Sequence, residues 1–119
     1  MNEVVVSASG GERRVDSLLL EPDPASLAPD PALLLTFALD RGMSLKTQPY
    51  SIAASEFVAA GHRALSFDPP NHGSRIDEFG EGIAGMRDAL LAGDDPFAAF
   101  VEDASAVIDR CIERHLATP

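Results

Sequence analysis

The chain has 119 residues, which is enough for one small domain with a hydrophobic core but too few for two. Hydrophobic residues make up 45% of it, a globular composition, and 9 basic against 19 acidic residues give a net charge of -10. Such an acidic surface repels phosphate backbones and anionic lipids, so we expect neither nucleic-acid nor membrane-surface binding.

The cysteine count and the N-terminus narrow the class further. The single cysteine, Cys111, excludes an internal disulfide and a thiolate zinc cluster. The first residues show no basic segment and no long apolar run, so we expect no signal peptide. The longest nearly apolar run, residues 32–39, is too short to span a bilayer. We therefore expect a cytoplasmic protein with one domain over residues 1–119 and no metal or cofactor.

Two extended segments open the chain. Val4–Val6 is β-branched, and Val15–Leu20 is a second strand candidate. The pair Gly10-Gly11 between them favours a tight antiparallel hairpin. Four prolines within residues 21–31 then predict a loop, because proline fixes φ and lacks an amide donor.

Residues 31–73 have the pattern of a strand–helix–strand unit. Residues 32–38 are apolar apart from Thr36, which predicts a strand covered on both faces, and residues 40–47 predict a loop. A helix is expected to begin at Pro49 and to stop at Gly61. Its predicted apolar stripe consists of Ile52, Ala53, Phe57 and Ala60, with Val58 at the edge. Residues 64–67 form the next buried strand, which Pro69-Pro70 ends.

The C-terminal third predicts two helices. A short one covers Ile83–Leu91, and a long one has Asp95 as its cap and Pro96 as its first residue. Asp103 falls outside the apolar stripe of the long helix. The acidic residues between 77 and 109 are interpreted as a solvated helical face. The stripe of the long helix comprises Phe97, Phe100, Val101, Ala104, Val107, Ile108, Cys111 and Ile112.

The sequence SFDPPNHG at residues 66–73 resembles the aspartate–proline–x–histidine/glycine–glycine loop of α/β hydrolases. The order of elements is also similar to that family from Val4 to His115: hairpin, strand, loop, helix ending in glycine, strand, long helix. The resemblance implies an α/β fold in which an N-terminal hairpin is followed by a βαβ unit and a long helix, forming a partial α/β-hydrolase-like sheet.

The resemblance also implies positions for a site. The loop after the strand ending near Ala38 would donate one backbone N–H to an oxyanion hole, from Leu39 or Asp40. Asp68 and His72 would lie in a loop of the cleft. Ala38-Leu39 stands where the family has a histidine–glycine pair.

The family's nucleophile has no counterpart here. It is a serine on a G-x-S-x-G turn after the strand that follows the long helix, and neither that turn nor the catalytic histidine is matched. The implied function is serine-type hydrolysis of a small ester or amide by a protein of which this chain is the N-terminal part. No catalytic residue is assigned, and we expect the chain alone to be inactive.

Three other patterns point weakly elsewhere. Residues 7–11 fit S-x-S-x-G, but a hairpin turn is favoured because no helix follows. Residues 80–85 fit G-x-G-x-x-G, but no buried strand stands just before them, so a glycine-rich insertion is favoured over a dinucleotide site. Asp68, His72 and Asp77 are too scattered to predict a metal site.

A second hypothesis is non-enzymatic: a small doubly wound binding or interaction module. A sheet of three or four strands would leave an open apolar edge, which favours self-association or a partner strand.

Overall fold

A four-stranded mixed sheet forms the centre of the fold. The computed structural model describes residues 1–10 and 13–119. The strand order is β1-β2-β4-β3, with antiparallel β1–β2 and β2–β4 pairs and a parallel β3–β4 pair. The elements are β1 (Asn2–Gly10), β2 (Arg13–Glu21), β3 (Leu33–Leu35), α1 (Arg41–Lys46), α2 (Ile52–Ala59), β4 (Arg63–Ser66), α3 (Gly82–Leu91) and α4 (Pro96–Glu113).

The predicted N-terminal hairpin is confirmed. β1 and β2 pair in antiparallel register from Asn2 opposite Glu21 to Gly10 opposite Arg13. The predicted turn at Gly10-Gly11 lies partly outside the described residues, since Gly11 and Glu12 are not described.

Helices cover both faces of the sheet because successive strand residues point to opposite sides. On one face, Leu19 of β2 and Leu65 of β4 pack with Val107 and Cys111 of α4. On the other face, the neighbouring residues of the same strands pack against α1 and α2. That second core consists of Leu20, Leu45, Ala54, Val58 and Ala64. The α/β fold class expected from the sequence is thus confirmed.

The segment around β3 differs from its prediction. The strand covers only Leu33–Leu35 and is half-buried, because it lies at the edge of the sheet and, among the described strands, pairs only with β4. Residues 40–47, predicted as a loop, contain the six-residue helix α1. The Asp40 side chain accepts a 2.9 Å hydrogen bond from the Met43 N–H, which caps that helix.

Helix α2 has a different buried face from the predicted one. It begins at Ile52 rather than Pro49, and Ala54 and Val58 are its buried residues, while Ile52 is exposed. The Ala54–Val58 face is the one that meets the sheet. Gly61 stops the helix as predicted, at φ +90°, where a Cβ atom would lie 2.7 Å from the Ser26 carbonyl oxygen.

Helices α3 and α4 lie where the sequence predicts them. In α4 the Asp95 side chain accepts a 3.0 Å hydrogen bond from the Ala98 N–H. The predicted stripe is too wide, since Phe97 and Val101 are 55% and 63% exposed. The position assigned to Asp103 is wrong, because this side chain is fully buried. A buried carboxylate needs cationic partners, and these come from distant parts of the chain.

Candidate functional site

The candidate site lies at the carboxyl ends of β3 and β4. Because these strands are parallel, the loops that follow them meet at one edge of the sheet. A cavity of about 390 Å³ opens between the two loops. We call it the carboxyl-edge cavity; its lining residues are Leu39, Asp40, Met43, Asn71, His72, Gly73, Ile76, Glu81 and Gly82. Three of the four residues singled out from the sequence, Leu39, Asp40 and His72, are thus together.

The two oxyanion-loop candidates differ in the availability of their amides. The N–H groups of Ala38 and Leu39 donate to the hydroxyl of the buried Ser44, at 3.0 and 3.2 Å. The Asp40 N–H has no protein acceptor within residues 1–10 and 13–119. Asp40 is therefore the candidate whose backbone donor remains open to a ligand.

Asp68 connects the loop after β3 with the loop after β4 by hydrogen bonds. Its carboxylate is 7% exposed and accepts from the Arg41 N–H at 2.9 Å, the Ser74 N–H at 3.0 Å and the Ser74 hydroxyl at 2.7 Å. Burial opposes ionisation of this carboxyl, but these donors together outweigh it and lower its pKa. Asp68 holds the loops after β3 and β4 at a fixed separation, and it borders a second cavity rather than the carboxyl-edge cavity.

His72 also lines the carboxyl-edge cavity. Its Nδ1 lies 2.9 Å from the Pro70 carbonyl oxygen. Because a carbonyl oxygen only accepts, Nδ1 carries the proton, which leaves Nε2 as a lone-pair acceptor in the neutral ring. The ring could therefore accept a hydrogen bond from a ligand.

Asn71 is a site residue that sequence reasoning missed. It is 3% exposed and has φ +65°. Its side-chain Nδ2 donates to Asp77 Oδ1 at 2.8 Å and to the Gly80 carbonyl at 3.2 Å, while its backbone carbonyl accepts from the Gly82 N–H at 2.6 Å. These bonds fix the start of α3 against the site. The signal in the sequence is modest: asparagine tolerates positive φ better than most residues.

The glycines at residues 80–85 have local structural reasons: Gly80 and Gly82 adopt positive φ, and Gly85 packs closely. The segment directly before them contributes only an isolated bridge between Asp77 and Gly80, so no described strand leads into the motif. A Cβ atom at Gly85 would lie 2.6 Å from the Gly80 carbonyl oxygen. This close approach explains a glycine there without a dinucleotide.

Ser7 and Ser9 lie within β1, as the hairpin interpretation predicted. Ser7 donates a 2.7 Å hydrogen bond to Asp16 across the hairpin. Ser9 borders a groove of about 1140 Å³ between β1 and α4. No histidine lines that groove, so neither hydroxyl has a base of the kind that activates a serine nucleophile.

No helix in the described ranges is long and apolar enough to cross a membrane. Among the same residues, no group of three or more histidine, cysteine, aspartate or glutamate side chains is arranged to hold a metal ion.

The four-stranded mixed sheet with its helices is consistent with a partial α/β-hydrolase-like fold. No protein-family model matches the chain, and no curated protein matches it. A solved structure is similar: the polyethylene-glycol-bound complex of a cold-adapted esterase from an Arctic intertidal metagenomic library, with a TM-score of 0.67 and 25% sequence identity. That esterase is an α/β hydrolase. The similarity covers 96% of this chain but only 46% of the esterase chain, so the chain spans less than half of its length.

Proposed function

We propose that this chain is the N-terminal part of an esterase-like α/β hydrolase that cleaves a small ester or amide by a serine mechanism. The observation that carries the proposal is the similarity to an esterase over 96% of the chain. The carboxyl-edge cavity supports it, because Asp40 and His72 both line one cavity at the carboxyl edge of the sheet.

The chemical role proposed for the chain is to stabilise negative charge. Attack on an ester carbonyl converts its oxygen to an oxyanion, and a fixed backbone N–H beside that oxygen lowers the barrier. Asp40 would supply this donor, since the N–H of Leu39 is already bonded to Ser44. The Asp40 carboxylate is engaged as the cap of α1, which helps to fix its backbone.

The nucleophile and its histidine base would come from polypeptide outside these 119 residues, which contain no G-x-S-x-G sequence. A first test is the hydrolysis of p-nitrophenyl acetate by the purified chain. We expect a rate no higher than that of the Ser9→Ala variant and of buffer. Turnover that Ser9→Ala abolishes would show that the chain carries its own nucleophile and would contradict this part of the proposal.

A second test replaces the matched 46% of the Arctic esterase with this chain. We expect the hybrid protein to hydrolyse p-nitrophenyl acetate, while the esterase without its matched part does not. A hybrid that folds, as judged by circular dichroism and cooperative unfolding, but shows no turnover would contradict an esterase-like role for the chain.

One observation favours the alternative, a non-enzymatic interaction module. Helices α3 and α4 expose large apolar side chains, which is typical of surfaces that another protein covers. They are Ile83 (74% exposed), Leu91 (79%), Phe97 (55%) and Val101 (63%). A chain that is a well-behaved monomer in size-exclusion chromatography, together with an inactive hybrid, would favour this alternative.

A further inference from the structure

A second cavity lies next to the candidate site, between the hairpin and the loops after β3 and β4. Its volume is about 370 Å³. Four arginines line it, although the whole chain has only 9 basic residues and a net charge of -10. We call it the arginine cavity; its lining residues are Arg13, Arg14, Val15, Asp16, Arg41, Asp68, Ser74 and Arg75.

A single buried carboxylate positions two of these arginines. Asp103 is fully buried, and it accepts from Arg13 Nε at 3.3 Å and from Arg75 Nη1 at 2.7 Å. Arg75 Nη1 also donates to the Asp68 carbonyl at 3.0 Å. Because the Asp103 carboxylate is buried and fixed, it restricts the motion of the two guanidinium groups. A ligand that binds them therefore has little further side-chain entropy to overcome.

The other two arginines are held by Asp16. Arg41 Nη1 donates to the Asp16 carbonyl at 2.6 Å, and Arg14 Nε donates to the Asp16 carboxylate at 2.9 Å. The Nε and Nη2 groups of Arg41 and Arg75 have no protein acceptor in the described part of the chain. The Nε and Nη2 groups of each of these arginines are therefore free to bind two oxygens of one carboxylate or phosphate.

We propose that the arginine cavity binds the carboxylate or phosphate group of a small anionic molecule. The volume lies at the lower end of the range for small-molecule sites, which is roughly 300–1,000 Å³. The two lining aspartates leave an excess of two positive charges over the lining, and the Asp68 carboxylate is already occupied by three donors. Glu102 and Asp103 pair with Arg13 and Arg75 and offset this excess, so the proposal rests on the free N–H groups of Arg41 and Arg75 rather than on net charge.

This site is independent of the proposed hydrolase activity. No nucleophile is needed for it, and the donors all belong to this chain. Lining residues of the two cavities are neighbours in the sequence: Arg41 follows Asp40, and Ser74 follows Gly73. Binding by the isolated chain is therefore a test that stands whether or not the hybrid esterase is active.

The experiment is a titration of the full 119-residue chain, followed by NMR of the arginine Nε–H and backbone amide signals. Inorganic phosphate and succinate are added separately at constant ionic strength, with succinamide as the uncharged counterpart of succinate. We expect saturable shifts at Arg41 and Arg75 with at least one anion and none with succinamide. The anion that binds more tightly identifies the source of the group as phosphate or carboxylate.

Three variants make the result specific. Arg41→Gln is expected to weaken binding about tenfold or more, because a charge-assisted bidentate contact is lost. If Arg41→Gln does not fold, Arg14→Gln replaces it, and this variant of an exposed residue is likewise expected to weaken binding. Arg87→Gln, at an exposed pair with Asp88, makes the same change in net charge and is expected to leave binding unchanged. The absence of saturable shifts with both anions, or an equal loss in Arg87→Gln, overturns the proposal.

Discussion

Asp103 in the middle of α4 accepts a 2.7 Å hydrogen bond from Arg75 Nη1, in the loop after β4. The carboxylate is fully buried, while the side chain of Arg75 is 24% exposed. Arg13, at the start of β2, donates to the same carboxylate. One side chain thus connects the last helix, the hairpin and a loop of the candidate site, so the shape of that site depends on α4.

The first prediction concerns the stability that Asp103 provides. Asp103→Ala removes the buried carboxylate that both arginines contact and is expected to lower the free energy of unfolding by about 1.5–3 kcal/mol, since both arginines keep other partners and some exposure to solvent. Urea unfolding followed by circular dichroism measures this change. The neighbouring Glu102→Ala is the control, because Glu102 is 63% exposed and its ion pair is worth about 0–1 kcal/mol. Equal losses in both variants would mean that burial of Asp103 does not matter.

The second prediction concerns acid. The pKa of Asp68 is lowered in the folded protein from its ordinary value of 3.8, so its carboxylate stabilises the fold fully above that value. This contribution is lost as the pH falls through the lower, folded pKa. We expect Asp68→Asn to be less stable than the wild type at pH 7 and to lose less further stability on acidification.

The matching measurement is urea unfolding at several values from pH 7 to about pH 2.5. The exposed Asp94→Asn is the control and is expected to follow the wild type throughout. If Asp68→Asn and the wild type lose stability in parallel between these limits, the hydrogen bonds to Asp68 do not set its pKa.

The third prediction separates two phenylalanines. Phe67 is fully buried, and its ring centroid lies 4.8 Å from that of Phe37 and 5.5 Å from that of Phe100. Phe67→Ala is expected to cost about 3–5 kcal/mol of unfolding free energy. Phe97→Ala should cost less than about 1 kcal/mol, because that ring is 55% exposed. Equal costs would show that Phe97 is a core residue, as the helical pattern alone suggested.

The fourth prediction is self-association through β3, which we propose as the open edge of the sheet. The strand Leu33–Leu35 has no charge or proline to block a second copy, and no described strand pairs with its outer side. Thr36 N–H donates to Leu65 on the inner side, so by alternation the amides of Leu33 and Leu35 face outward. We expect light scattering coupled to size-exclusion chromatography to give a mass that rises with concentration.

Proline scanning tests this edge. Leu33→Pro removes an outward amide at the strand's first residue, where proline is tolerated, and is expected to weaken association. Asp30→Pro, in the exposed loop before β3, is expected to leave it unchanged. A constant monomer mass for the wild type at all concentrations would contradict the proposal.

The elements that the sequence predicts correctly are those with local signals. The hairpin follows from two strand patterns with glycines between them, and α4 follows from Asp95, Pro96 and a regular apolar spacing. β4 follows from an apolar run ended by prolines. Each of these signals lies within a few residues of the structure that it produces.

The features that the sequence does not predict depend on distant partners. Asp103 was assigned to the surface because its two arginines are 28 and 90 residues away. The buried face of α2 depends on how that helix meets the sheet, and the half-burial of β3 depends on its edge position. For the site, the resemblance predicts which two loops form it. Only the structure shows that the Leu39 N–H already donates a hydrogen bond to the Ser44 hydroxyl.

The central proposal is that the Asp40 backbone N–H stabilises an oxyanion, and the kcat of two variants of the hybrid esterase tests it most directly. Asp40→Ala removes the helix cap but keeps the N–H, whereas Asp40→Pro removes both at a φ of -71° that proline accepts. We expect kcat of Asp40→Pro to be about 10²–10³ times lower than that of Asp40→Ala. Equal kcat values in two folded variants would contradict the proposal.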